Sequence, residues 1–267
     1  MSRASHVSFK ALPVDLSVER RYSVYVPPAL YDVPYVPTQD HVVAAMLRLA
    51  GVGPSDVVYD LGCGDGRIVT AAARDFGASG VGIDVDPNRI ADAVANAQRA
   101  GVSGRVRFRQ ASIFDADVRE ATVVSLYLLP EINVRLRPKL MADLRPGTRI
   151  VSNHFDMGDW RPDAHVVLGA RDLYKWVVPA WVGGTWRCVV NLPGGRRRMT
   201  LNLERRYQAV VGTARVGRDE LPLRDGRLAG SALTFALPGG TQFTGTVCGN
   251  AVRGTCGDNT WGGVRQH

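Results

Sequence analysis

Lysine is nearly missing from this sequence: among 33 basic residues only Lys10, Lys139 and Lys175 are lysines. That points to an arginine-rich composition and by itself names no partner. No run of 18 apolar residues occurs, so no membrane-spanning helix is indicated. Across the first 30 residues Arg3, Lys10, Asp15, Glu19, Arg20 and Arg21 interrupt any apolar stretch, unlike a secretory leader. Cysteine is scarce. Cys63, Cys188, Cys248 and Cys256 are scattered and no CxxC occurs, which excludes a zinc ribbon and leaves no metal-ligand cluster. The expectation is reduced thiols in a cytoplasmic protein, with a Cys248–Cys256 bridge left open.

What is present is ordinary for a water-facing globular chain: 267 residues, 45% hydrophobic and 22% charged. That length allows one large or two modest domains with a substantial core. The net charge of +8 is unevenly placed. Residues 1–170 hold 19 basic and 19 acidic side chains, and residues 171–267 hold 14 and 6, so the whole excess lies in the last third. Such an excess suits a polyanion or an acidic protein surface, or simply follows from the arginine content.

The chain reads in three parts. Residues 1–36 are irregular and carry Pro13, Pro27, Pro28 and Pro34, which suggests an extended arm. From 37 to 181, strands and helices alternate. Thr38 is expected to cap a helix bearing Val42, Val43, Met46, Leu47 and Ala50, ended by Gly51 and Gly53. Strands follow at 57–61, 80–85, 105–109, 122–128 and 148–154, with helices at 68–75, 87–100 and 131–143, the last broken or bent near Pro138. Two further strands are expected at 164–169 and 172–178. Alternation of this kind implies an α/β fold with a doubly wound parallel sheet. Residues 184–267 change texture. Short alternating runs are separated by turn signals such as Pro193-Gly194-Gly195, Asp225-Gly226 and Gly249-Asn250, which predicts a small antiparallel barrel or sandwich.

The stretch VVYDLGCGDGR, Val57 to Arg67, carries the chemistry. A strand ends at Asp60, and Gly62, Gly64 and Gly66 follow before a helix. Bare backbone there lets a ligand approach closely, and the helix N-terminus offers free N–H groups. A dinucleotide loop would need glycine at 67, where Arg67 stands. Asp60 would repel a pyrophosphate and suits a cation such as an amino-acid ammonium. The next strand ends in Gly82-Ile83-Asp84, and an acid at that place can accept both hydroxyls of a ribose. The ligand implied has an ammonium at one end and an unphosphorylated ribose at the other, and S-adenosylmethionine fits.

With these motifs in this order, the chain resembles the class I, seven-stranded S-adenosylmethionine-dependent methyltransferases. VPYVPT (33–38), LYLLPEIN (126–133) and RPGTRIVSNHFDMGDW (145–160) narrow the resemblance to the protein-lysine methyltransferases of archaea, their mitochondrial relatives and bacterial members. The resemblance implies a Rossmann-like sheet over residues 37 to about 180. It implies a VPT segment, with Tyr35 and Thr38, that closes over the cofactor's methionine end. It departs at Gln110-Ala111-Ser112, where the family often has Asp or Asn, so that Ser112 would reach the adenine. The basic β-rich addition after 184 is absent from the small archaeal members. The Asn-Pro-Pro-Tyr loop of enzymes acting on nucleic-acid amino groups is missing.

The fourth and fifth strands should end beside the reacting methyl, because open sheets bind ligands at their carboxyl ends. Candidates there are Tyr127 to orient an amine, Glu131, Asn153, and His154 to accept a proton. Tyr127 and His154 equally suit structural roles, and Glu131 suits a helix start. Trp160 is either a wall of the substrate channel or core. The expected cofactor-contacting set is Tyr35, Thr38, Asp60, Gly62, Gly64, Gly66, Asp84, Ser112 and Tyr127. The expected activity is N-methylation of a protein lysine. RNA or a small molecule is the alternative acceptor, with nucleic acid reached through the basic C-terminal part, and a non-catalytic cofactor-binding module is the third reading.

Overall fold

A computed structural model describes residues 36–266. The arm expected at 1–36, and Tyr35 with it, lie outside the described residues apart from Val36. The described residues form one compact unit holding two sheets.

The first sheet comprises β1 (Val57–Leu61), β2 (Ser79–Asp84), β3 (Val106–Gln110), β4 (Val123–Leu126), β5 (Arg149–Asn153), β6 (Ala164–Leu168) and β7 (Arg171–Val177). Their order is β3-β2-β1-β4-β5-β7-β6, all parallel except β7. Strand order reverses between β1 and β4. A crevice opens there, and glycines and acids sit at the strand ends. Both faces of the central strands are buried, which explains why β4 reads VVSL with no alternation.

Helices α1 (Asp40–Ala50), α2 (Arg67–Phe76), α3 (Pro87–Arg99) and α4 (Pro130–Asp143) accompany the sheet. α1 presents Val42, Val43, Met46, Leu47 and Ala50 to a core shared with Val69 and Ala72 of α2. Its N-cap is Gln39, not Thr38, and no side chain caps it. The Thr38 side chain is drawn instead toward the end of β5. Asp86 caps α3 by accepting from the Asn88 N–H at 2.8 Å. α4 runs unbroken through Pro138. The carbonyl that loses its donor belongs to Val134, which is exposed, so water can serve it.

The second sheet closes on itself. β8 (Gly184–Leu192), β9 (Gly195–Arg206) and β10 (Ala209–Val216) are followed by β11 (Asp219–Pro222) and β12 (Arg224–Ala229). β13 (Ala232–Ala236), β14 (Gln242–Cys248), β15 (Ala251–Cys256) and β16 (Asn259–Arg265) complete it. β11 and β12 pair successive parts of β10 and act as one bent strand. Each strand pairs with its neighbour in sequence, and β16 returns to β8, giving an eight-stranded up-and-down barrel rather than a sandwich. The run RMTLNLERRYQAVVGTA is two strands, divided at Tyr207, whose φ of 53° turns the chain. Trp186, Leu201, Leu233, Phe235, Phe243 and Trp261 fill the interior. Trp261 needs glycine beneath it: a Cβ on Gly245 would sit 2.9 Å from its ring. Cys248 is exposed and Cys256 buried, both thiols are free, and the bridge left open from sequence is not formed.

The barrel is fastened to the first sheet. Asp159 meets Arg137 and accepts from Arg206 (3.0 Å) and from the Tyr207 hydroxyl (3.0 Å). Arg227 pairs with Asp163 at 2.8 Å, and the Ala180 N–H donates to the Gly230 carbonyl. Trp160 is fully buried here. It stacks on Tyr207 with centroids 5.6 Å apart and donates to Gln208. It belongs to this junction and does not wall a substrate channel.

Candidate active site

The glycine loop is held open by its backbone. Gly62, Gly64 and Gly66 have φ of 81°, 51° and 72°, and the N–H groups of Gly62 and Cys63 donate to the Ile83 carbonyl. Positive φ at all three favours glycine. Gly66 is also crowded, since a Cβ there would lie 2.5 Å from the Phe108 ring.

Asp60 and Asp84 end β1 and β2. The Asp84 carboxylate accepts from Gly64 N–H at 2.8 Å and from Asp86 N–H at 3.0 Å, bracing the loop. Its oxygens keep further lone pairs for hydroxyl donors. Asp60 is buried, and the one hydrogen bond its carboxylate accepts among the described residues comes from the Ser125 hydroxyl, at 2.7 Å. Burial pushes its carboxyl up to about 7, and the negative charges of Asp84 and Asp65 add to the effect while Ser125 opposes it. A buried acid in that position suits a cation. Burial raises the neighbouring Cys63 thiol strongly, so it is not a nucleophile.

Arg67, to which the sequence alone assigns no role, links two parts of the site. It grips Asp65 with Nε and Nη2, at 2.9 and 2.7 Å, and donates from Nη1 to the Thr38 carbonyl at 2.8 Å. The Thr38 hydroxyl, buried, accepts from Asn153 Nδ2 at 3.4 Å. Ser112 lies at the bend after β3, where its hydroxyl accepts from Phe114 N–H.

Tyr127, Asn153 and His154 come together at the carboxyl ends of β4 and β5. Tyr127 lies beside Phe155 (centroids 6.4 Å), and His154 meets the edge of the same ring at 4.7 Å. His154 has a φ of 72°, and its N–H donates to the Asp172 carbonyl at 2.6 Å. Asn153 Oδ1 and His154 Nδ1 are buried and have no hydrogen-bond partner among the described residues. Glu131 stands apart, exposed in the first turn of α4. Arg171 and Asn133 are not signalled by the sequence. Arg171 donates to the Tyr127 hydroxyl at 2.7 Å, and buried Asn133 holds the Phe155 and Asp156 carbonyls. Asn133 ends the LYLLPEIN stretch, which by itself does not show the carbonyls it holds, and Arg171 lies in no quoted motif and reaches Tyr127 from 44 residues away.

Residues 60–164 match the family model described as the ANTKMT methyltransferase domain. A Saccharolobus islandicus protein-lysine N-methyltransferase is 48% identical over 139 residues, covering 84% of that protein and 52% of this chain. The chain belongs to this methyltransferase family. The Mus musculus adenine nucleotide translocase lysine N-methyltransferase is 34% identical over 151 residues, which cover 66% of its length and 57% of this chain. Among solved structures, a Salinibacter ruber RNA methyltransferase in complex with S-adenosyl-L-homocysteine is 54% identical with a TM-score of 0.55. The match covers 96% of that chain and 55% of this one. The protein is therefore an S-adenosylmethionine-dependent methyltransferase carrying an additional β-barrel. The residues at the strand ends fit the cofactor: a buried acid for its ammonium, a glycine loop for close approach and a braced carboxylate for its ribose.

Proposed function

We propose that this methyltransferase N-methylates a lysine side chain of a protein. The 48% identity that spans most of an archaeal protein-lysine N-methyltransferase carries this reading. When bound, S-adenosylmethionine would supply a methyl on a cationic sulfonium, whose sulfur would leave as a neutral thioether on in-line displacement. Asp60 would hold its ammonium, the Gly62–Gly66 backbone would allow its close approach, and the Asp84 carboxylate would accept hydrogen bonds from its ribose hydroxyls. Thr38, tied to the glycine loop through Arg67, would support the methionine end, and Ser112 would contact the adenine.

The protein's remaining task is to align a neutral amine and exclude water. A lysine amine has a pKa near ~10.4, so holding it neutral at pH 7 costs roughly 4–5 kcal/mol. Burial beside Tyr127 and Phe155 meets part of that cost by disfavouring the ammonium. Tyr127, fixed by Arg171, orients the amine. Asn153 Oδ1 and His154 Nδ1 are the unpartnered acceptors nearest in the chain for its N–H groups, and Glu131 is the weakest candidate because it is exposed and apart.

RNA is the second reading, favoured by the name of the Salinibacter ruber relative. Incubation with radiolabelled S-adenosylmethionine and host lysate separates the two. Label in a protein band that survives RNase, and is lost with Asp84→Ala, is the expected result. Label that disappears with RNase and persists through protease would reassign the acceptor to RNA.

A further inference from the structure

The barrel's outer surface divides by charge. Its acidic residues are Glu204, Asp219, Glu220, Asp225 and Asp258. The first four lie on β9, β11 and β12, and Asp258 lies in the turn between β15 and β16. The wall made by β13 to β16, β8 and the first half of β9 has no acidic strand residue. One row across it runs Thr246, Arg253, Gly262, Val189 and Arg198 on five adjacent strands. Arg196 lies two residues from Arg198, and Arg187 two from Val189.

These four arginines differ from others of the barrel. Arg206, Arg215 and Arg227 each meet a carboxylate, and Arg265 meets Asn250. The side chains of Arg187, Arg196, Arg198 and Arg253 are exposed and make no hydrogen bond or ion pair among the described residues. Arg196 and Arg253 flank an open groove of about 500 Å³ also lined by Gly254, Gly262, Asn191 and Thr260. Arg198 and Arg253 stand three strands apart, about 14 Å, and Arg196 and Arg198 about 7 Å along one strand. Like charges kept this close without counter-charges are complementary to a ligand that brings several anions at once.

We propose that this wall binds the phosphate backbone of a double-stranded or hairpin nucleic acid, without reading its sequence. Arginine with hydroxyl and amide side chains is the usual equipment for phosphate contact. An acidic protein is the poorer fit. Protein interfaces rest on aromatic or large apolar anchors, and the wall's exposed large apolar side chains are Val189 and Val264. Trp261 lines the groove but is only 2% exposed, so it offers no open ring face on which an unpaired base could stack, which disfavours single strands. The barrel lies beyond the stretch matched by the family model, and the inference does not depend on which acceptor receives the methyl group.

The test is fluorescence anisotropy of the full chain with a labelled 20-base-pair mixed-sequence RNA duplex, with polyglutamate as a competitor of matched charge. Salt is varied from 50 to 200 mM. Four phosphate contacts predict a log–log salt slope of about −3.6. The variant Arg187→Gln/Arg196→Gln/Arg198→Gln/Arg253→Gln is expected to bind at least tenfold more weakly with a flattened slope. Its melting temperature and S-adenosylmethionine affinity should match the parent's, because all four side chains are exposed and far from the glycine loop in the chain. Equal duplex binding by parent and variant, no binding at 50 mM salt, or equally good binding of polyglutamate would overturn the proposal. Loss of duplex binding by the variant with methyl transfer intact supports it, and duplex binding retained by the variant overturns it whatever happens to methyl transfer.

Discussion

Arg67 donates from Nη1 to the Thr38 carbonyl at 2.8 Å while its other nitrogens grip Asp65 inside the glycine loop. One guanidinium thus ties the segment before α1 to the loop before α2. The Thr38 hydroxyl then meets Asn153 at the end of β5.

Arg67→Met should loosen that tie. A charge-assisted hydrogen bond contributes about 1.5–3 kcal/mol, so cofactor affinity should fall about tenfold or more, with a small change in melting temperature. Titration calorimetry with S-adenosylhomocysteine checks this. Unchanged affinity would detach Thr38 from cofactor binding.

Asp60 should make cofactor binding depend on pH. Its carboxyl is raised from 3.8 to about 7 by burial. The stability contribution of the raised carboxyl is fully present below about 3.8 and is lost as pH rises through about 7. A bound ammonium favours the ionised form. Affinity should therefore tighten from pH 6 to pH 8, and binding near pH 6.5 should release a proton. Calorimetry in two buffers of different ionisation enthalpy reads the proton directly, and Asp60→Asn should abolish it.

Gly66→Ala should destabilise the first sheet by about 2–5 kcal/mol. The new methyl would lie 2.5 Å from the Phe108 ring and 2.8 Å from Ala93 Cβ, at a φ of 72°. Overpacking and left-handed backbone each cost about 1–3 and 1–2 kcal/mol. Urea unfolding at fixed pH measures the difference. A loss below 0.5 kcal/mol would mean the loop is free to move away, on the order of a surface substitution.

Asp159→Asn should weaken the junction of sheet and barrel. Arg206, Tyr207 and Arg137 hold its carboxyl down at about 2, against partial burial. Its stabilisation is present above 3.8 and lost as pH falls through about 2. The side chain is half exposed, so solvent screening limits the effect to about 1 kcal/mol. Melting curves should show variant and parent separated at pH 7 and converging near pH 2.

Much of the cofactor site was legible because its signals are local. Asp60, three alternating glycines and Asp84 lie within 25 consecutive residues (60–84), and each glycine answers a backbone need of its own short loop. The catalytic end was less legible. Tyr127, Asn153 and His154 are candidates because they end strands, whereas Arg171 and Asn133 enter only through contacts that no spacing rule reports. Trp160 had two readings from sequence, core or channel wall. Only the barrel's Tyr207 and Gln208 packed against it decide between them.

By itself the sequence determined the α/β alternation, the cofactor loop and the change to β structure after 184, because hydrophobic period and turn chemistry act within a few residues. Tertiary structure alone decided that the last strands close into a barrel and that Thr38 serves Arg67 and Asn153 rather than α1. It also decided that four arginines from β8, β9 and β15 share one acid-free wall. Each of those outcomes depends on strand register and on contacts between residues far apart in the chain. A one-residue change of register would turn every outward arginine of a strand inward, and no local pattern of charge records which register the closed barrel adopts.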